Sequence, residues 1–350
     1  KSYQLKVNNP KEEAALNFYK NILRPPLFML EPEVAWKVGD MALQQSWFWE
    51  IYGKYMGFEN HNLETELAGI KLTNPVGLAA GYDKNCKLIP GLSAMGFGYL
   101  VTGTVTKHPK VGNPKPRVIR RTKQHALINA LGFPGQGLKE AKKAIQKGIQ
   151  SSNVTEVFVS ISGVEIEEIL ECHAELEPLA SAIEINISSP NTAGLRVFQQ
   201  ESKLSELLDQ INSQKTKPVL IKMPPFLDSD KGNNAQEVLS LAQVCVEKYV
   251  EALTVSNTLP TEDNKLAMGR GGLSGTPLFD NTRRMVVTYK KQFGNSIQIN
   301  ACGGVSQGKQ AFTLLNEGAD TVQMLTSLVY EGPSVVNKLK KDLSQFISKT

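Results

Sequence analysis

Histidine and cysteine are scarce, with four of each in 350 residues, and the cysteines Cys86, Cys172, Cys245 and Cys302 form no CxxC pair. That spacing excludes a secreted disulfide scaffold and implies reduced thiols in an intracellular compartment. Neither Cys172-His173 nor the scattered His61, His108 and His125 gives a metal-ligand pattern, so no metal is expected. Charge is also thin: the net value is +5, and basic residues cluster only in pairs such as Arg120-Arg121 and Lys290-Lys291. Nucleic acid is therefore not an expected partner. No apolar run is long enough to span a bilayer, and no signal peptide is recognisable. The chain begins at Lys1 rather than Met, which fits removal of an upstream targeting or anchoring segment. Aromatic residues make up only 7% of the chain, yet all three tryptophans, Trp36, Trp47 and Trp49, fall within the first 60 residues.

At 41% hydrophobic the chain has the material for an enzyme-sized core. Beyond about residue 75 one theme repeats: a short β-rich run, a polar or glycine-containing loop, then an amphipathic stretch. The runs are Val76–Ala80, Tyr99–Thr102, Val157–Ile161, Ala182–Ile187, Val219–Lys222, Ala252–Val255, Ile297–Ala301 and Thr321–Leu325. Helical stretches between them include 139–148, 203–213, 235–249 and 309–317. An open doubly wound sheet would gather its ligand at one switch point. Polar loops after nearly every strand instead predict an α/β fold of the closed (β/α)8 TIM barrel class, with a site ringing its C-terminal face.

The richest loop is Asn186-Ile187-Ser188-Ser189-Pro190-Asn191-Thr192-Ala193-Gly194-Leu195, which follows a buried-looking strand. Its amides and hydroxyls suit a planar polar ligand, although Ser, Asn and Pro are also ordinary turn residues. Late in the chain, Gly303-Gly304 follows the seventh run and Thr326-Ser327 the eighth, the positions where barrels place a phosphate site. Ala79-Ala80-Gly81 and Gly271–Gly275 add loops that a flat ring can approach closely.

The N-terminal region, 1–60, reads as a small helical cap separate from a barrel over 61–350. Leu23, Leu27, Leu30, Val34 and Val38 recur at roughly helical spacing, with Phe28, Phe48, Tyr52 and Tyr55 beside them and Lys20, Arg24, Lys37 and Lys54 supplying charge. Such helices suit a membrane interface or the lining of an apolar tunnel. The pattern alone favours a plainer role, plugging the bottom of the barrel.

In barrel order the chain carries Ala79-Ala80-Gly81-Tyr82-Asp83-Lys84, Gly112–Val118, Asn186–Arg196, Ser256-Asn257-Thr258, Gly271–Gly275 and Gly303-Gly304-Val305. From about residue 20 to the end it resembles the dihydroorotate dehydrogenases, and the helical cap with Ser189 in the base position resembles their membrane-associated, quinone-reducing class. The resemblance implies FMN-dependent oxidation of (S)-dihydroorotate to orotate in pyrimidine synthesis. The catalytic base would be Ser189, relaying its proton through water or Thr192. Lys84, Asn129, Phe133, Asn186, Asn191, Asn257 and Thr258 would hold the substrate. Ala80, Gly81, Thr104, Asn129, Ser160, Lys222, Ser256, Asn257, Ser274, Gly275, Gly303, Gly304 and Thr326 would hold FMN. Lys222 would sit beside the pyrimidine portion of the flavin.

Departures from the family pattern concentrate at the electron-acceptor side. Ser160, Ser256 and Pro134 replace familiar asparagine, threonine and asparagine residues. In the quinone tunnel Arg120 is retained, whereas Leu27, Trp36 and Leu325 stand where glutamine, histidine and tyrosine lie in relatives. Quinone is still the expected acceptor over fumarate or a nicotinamide. The expected protein is a monomer, peripheral on a bacterial cell membrane at its cytoplasmic side or on the mitochondrial inner membrane. Other readings are another FMN barrel reductase acting on a dihydropyrimidine or dihydrouridine, a non-catalytic membrane-attached scaffold, and an aldolase-type barrel with Lys222 forming a Schiff base.

Overall fold

The computed structural model describes residues 17–188, 194–227 and 234–349. Ser189, Asn191 and Thr192 lie outside the described residues. The strands in chain order are β1 (Thr65–Leu67), β2 (Ile70–Leu72), β3 (Val76–Leu78), β4 (Tyr99–Val105), β5 (Val118–Arg121), β6 (Ala126–Asn129), β7 (Glu156–Ile161), β8 (Ala182–Asn186), β9 (Val219–Lys222), β10 (Ala252–Val255), β11 (Leu259–Glu262), β12 (Arg270–Gly275), β13 (Gln298–Cys302) and β14 (Thr321–Met324). The eight apolar runs of the sequence become the barrel. β10, β13, β14, β3, β4, β7, β8 and β9 pair in that order, all in parallel, and β9 closes back on β10.

The barrel strands read as continuous apolar runs because both faces are buried. Ile183, Ile185, Ile221, Leu253 and Ile299 face outward and pack with helix residues such as Leu204, Leu241 and Met285. The amphipathic stretches form helices that supply this layer. Leu138–Gly148, for example, buries Leu138, Ala141, Ile145 and Gly148 along one stripe. The helix expected over 235–249 instead spans Asn234–Glu247, and Tyr249 beyond its end has a left-handed backbone, φ 55°.

The bottom of the barrel is plugged by a β-hairpin, not by the N-terminal helices. β1 and β2 carry Leu67, Ala68 and Leu72 against Tyr99, Phe158, Ala182, Leu220 and Ala252 at the N-terminal ends of the barrel strands. The Ala68 amide donates to Gln298 at the start of β13. Three residues per strand are too short for periodicity to reveal, and the apolar cap drew the assignment to itself.

A second sheet, antiparallel in the order β11-β12-β6-β5, stands over the opposite end, with Gly272 of β12 registered on Asn129 of β6. Its strands are short, glycine-rich or charged, so composition marked them as loops.

The cap helices are α1 (Arg24–Met29), α2 (Pro32–Leu43) and α3 (Ser46–Met56), preceded by a π-turn at Tyr19–Leu23. Pro32 opens α2, and the Glu31 side chain accepts from the Val34 amide at 3.2 Å. These helices lie over the C-terminal face and leave Phe18, Ile22, Met29, Met41, Trp47, Ile51 and Tyr55 exposed. Among the described residues no helix is long and apolar enough to cross a membrane.

Candidate active site

A cavity of about 1100 Å³ lies between the C-terminal ends of the barrel strands and the underside of the cap. Strand ends place its polar wall. Asn186 ends β8 and Lys222 ends β9, side by side in register. Ser256, Asn257 and Thr258 follow β10, Gly303 and Gly304 follow β13, and Leu325 and Thr326 follow β14. Ala80 and Gly81 follow β3, while Asn129, Ser274 and Gly275 come from the antiparallel sheet.

Hydrogen bonds fix much of this wall. The Asn257 amide donates to Asn186 Oδ1 at 3.3 Å and to Ser188 Oγ at 3.0 Å, while its own oxygen accepts from the Thr258 amide at 2.8 Å. Asn186 Oδ1 also accepts from the Ser188 amide at 3.1 Å. Thr326 Oγ1 donates to Ser274 Oγ at 3.0 Å, and Ser274 passes a bond to the Leu127 carbonyl. Backbone constraint matters most at Gly304, which has φ 78°: an added Cβ would sit 2.3 Å from the Phe279 amide nitrogen.

Every described residue expected to bind substrate, cofactor or acceptor lines this cavity except Ser160. Ser160 is fully buried behind the wall, where its hydroxyl shares a 3.0 Å hydrogen bond with Thr104. It faces inward on β7 and meets the cavity wall through Thr104, which does line the cavity.

Two lysines, Lys84 and Lys222, belong to the polar wall of the cavity. Burial pulls the Lys84 ammonium down to about 8, against the attraction of Glu33, Asp83 and Asp40. The Trp36 ring covers that ammonium at 4.6 Å, and Trp36 Nε1 donates to the Tyr82 carbonyl at 3.3 Å. Asp83 beside it is buried and pushed up to about 6 by that burial, while accepting from the amides of Lys87 and Leu88. At Lys222 burial acts downward, but Cys302 and Glu184 outweigh it and hold the ammonium above its ordinary value.

The far end of the cavity is walled by Leu23, Leu27, Leu30, Val38 and Leu325. Arg120 reaches this apolar end from β5. Its guanidinium donates to the Leu30 carbonyl at 2.7 Å and lies 4.6 Å over the Phe28 ring.

The model for dihydroorotate dehydrogenase matches residues 62–347 of this chain. A dihydroorotate dehydrogenase (quinone) of Coxiella burnetii is 35% identical over 342 residues, covering 92% of this chain and 96% of that protein. The chain belongs to the dihydroorotate dehydrogenase family. The counterpart from a Chelativorans species, also named dihydroorotate dehydrogenase (quinone), is 33% identical over 342 residues, with coverage of 95% and 93%. Among solved structures, the Eimeria tenella dihydroorotate dehydrogenase in complex with ferulenol superposes with a TM-score of 0.76 at 29% identity, covering 84% of this chain and 86% of that one.

Within this family frame the structure adds residues that the sequence left without a role. Arg117 is buried and grips Glu33 of α2 through Nε, at 3.2 Å to each carboxylate oxygen, and through Nη2 at 2.8 Å. The Gly112–Val118 motif flagged Arg117, but nothing in the sequence joined it to an acid 84 residues earlier. Tyr330 packs edge-on against Phe28, stacks on His125 and donates to the Ala126 carbonyl at 2.8 Å, so it ties the cap, the antiparallel sheet and the segment after β14 together. Its only sequence signal was its closeness to Thr326.

Proposed function

We propose that this chain oxidises (S)-dihydroorotate to orotate with bound FMN and passes the electrons to a quinone, as a peripheral membrane enzyme of pyrimidine synthesis. The observation that carries the reading is the continuity of one cavity from a polar barrel wall to an apolar gallery under the cap. A charged pyrimidine and a greasy acceptor need such different linings in one connected space.

The donor set suits FMN. The hydroxyls of Thr104, Ser256, Ser274 and Thr326 and the Lys222 ammonium surround a wall of Ala79, Ala80 and Gly81, where a Cβ on Gly81 would meet nothing closer than 3.8 Å. That leaves room for a flat ring, and Gly275, Gly303 and Gly304 also line the cavity, Gly275 directly beside Thr326. FMN supplies the hydride acceptor that no side chain offers.

Lys84 pairs with the substrate carboxylate, and Asn129, Asn186, Asn191 and Asn257 present donors and acceptors to the imide edge. Thr258 and Phe133 complete the enclosure. Ser189 takes the proton from the substrate carbon and relays it through Thr192 or water. Trp36 and the cap exclude bulk water from Lys84, which strengthens its hold on an anion. Arg120 offers a donor to a quinone oxygen among otherwise apolar walls, and Leu27, Trp36 and Leu325 leave that oxygen few other partners. Within the N-terminal region, the described residues 17–60 form the membrane-facing unit, whose exposed side chains such as Met29, Trp47 and Tyr55 enter the lipid interface beside Lys37 and Lys54. The enzyme works as a monomer.

Turnover followed by orotate absorbance, with a short-chain quinone, fumarate or NAD+ as the sole acceptor, tests this reading. Quinone alone should sustain turnover. Turnover with fumarate or NAD+ but not with quinone would overturn the acceptor, and failure to form orotate with any acceptor would overturn the substrate.

A further inference from the structure

A carboxylate is sealed inside the barrel. Glu184 of β8 has no solvent exposure and faces inward, two residues before Asn186, which is registered on Lys222 of β9. Glu184 therefore lies one layer below the Lys222 side chain, on the barrel axis. Its Oε2 accepts from Thr254 Oγ1 at 2.7 Å, and Oε1 has no hydrogen-bond partner among the described residues. Beneath it the polar groups are neutral. Asn300 donates to Thr254 at 3.2 Å and accepts from Tyr99 at 2.7 Å and from Thr321 at 3.0 Å.

Barrel interiors are normally filled by branched apolar residues, and an ionised carboxylate there needs compensation. The positive group on the inward face one layer above it is Lys222, whose ammonium is held above its ordinary value against burial by Cys302 first and by Glu184 second. Thr254 anchors one oxygen of Glu184 and leaves the other free to act on its surroundings.

Resting on the proposed function, we infer that Glu184 is an electrostatic positioning residue: it partly offsets the Lys222 charge under the flavin and makes the reduced flavin a stronger reductant toward quinone. An isolated Lys222 favours the extra negative charge of reduced flavin, and a carboxylate one layer deeper opposes that preference through a low-dielectric core. Glu184 is not among the residues lining the cavity, so it acts through Lys222. Its effect is on the reduction equilibrium, while the cavity wall stays as it is.

The test is the midpoint potential of the FMN-loaded protein, measured by dye equilibration for wild type, Glu184→Gln, Glu184→Leu and Glu184→Asp. Gln keeps an acceptor for Thr254, and a buried ion replaced by an apolar residue is usually tolerated. The Gln and Leu variants should bind FMN and raise the ratio of reduced to oxidised flavin roughly tenfold at a given potential, about 30 mV for a two-electron couple. The Asp variant, which keeps the charge, should stay near wild type. Unchanged potentials in Gln and Leu, or an equal shift in Asp, would overturn the inference and leave the enzyme reading intact. A wild-type protein that binds no FMN would overturn both.

Discussion

Lys84 makes the sharpest residue-scale claim, because its charge is both needed and weakened. Its ammonium, drawn down to about 8 by burial, is positive below that pH and neutral above it, while the dihydroorotate carboxylate stays negative throughout. The kcat/KM for dihydroorotate should therefore fall about tenfold per pH unit above pH 8, since this ratio titrates groups of the free enzyme. A profile flat to pH 10 would remove Lys84 from carboxylate binding. Ser189→Ala should slow flavin reduction by at least about a hundredfold, the usual scale of a lost acid–base group, while FMN remains bound in rapid-mixing traces. Motif residues such as Ala80, Asn186, Lys222, Ser256, Gly303 and Thr326 were legible in the sequence because each sits at or just after the end of an apolar run, where a parallel barrel must open its site. The environment of Lys84 was not legible, since Trp36 reaches it from another part of the chain and only folding puts an indole on that ammonium.

Among the elements, the junction between α2 and the barrel depends on Arg117 and Glu33, whose side chains are 9% and 14% exposed. Burial pushes the Glu33 carboxyl up, but Arg117 and Lys115 reverse this and hold it below its ordinary value of 4.5. Its folded-state value is depressed, so the pair's stabilisation is present above 4.5 and is lost as the pH falls through the folded value. Arg117→Met, which leaves the carboxylate only Lys115 at 3.5 Å, should cost about 2 kcal/mol, measurable by denaturant titration. It should also raise the quinone KM more than the dihydroorotate KM, because the gallery is built from the helix it releases. On the opposite wall, Gly304→Ala should lower FMN occupancy in the purified protein, since the new methyl group would meet the Phe279 backbone. Seven of the eight barrel strands and the four helical stretches named from the sequence were legible to within one or two residues, because burial enforces a continuous apolar run on the strands and a helical period on the helices, whereas β4 runs three residues further, to Val105. The β1–β2 hairpin and the antiparallel sheet were not, because their short strands gain stability from partners far along the chain and carry no pattern of their own.

For the whole molecule, the position of the cap decides what the barrel can do. Had the N-terminal helices plugged the base, as their pattern suggested, the C-terminal face would open directly to water. They instead roof the cavity and leave side chains such as Met29, Trp47 and Tyr55 exposed; under the proposed function that side would face the lipid interface and let a membrane-borne acceptor approach without crossing solvent. Pelleting with anionic lipid vesicles should carry the protein down, and Met29→Glu with Trp47→Glu should abolish this while sparing reduction of the flavin by dihydroorotate. An anaerobic titration of the FMN-loaded protein separates the two half-reactions. Dihydroorotate should bleach the visible flavin band and a short-chain quinone should restore it, whereas a band indifferent to dihydroorotate, or one bleached but never restored by quinone, would contradict the central claim.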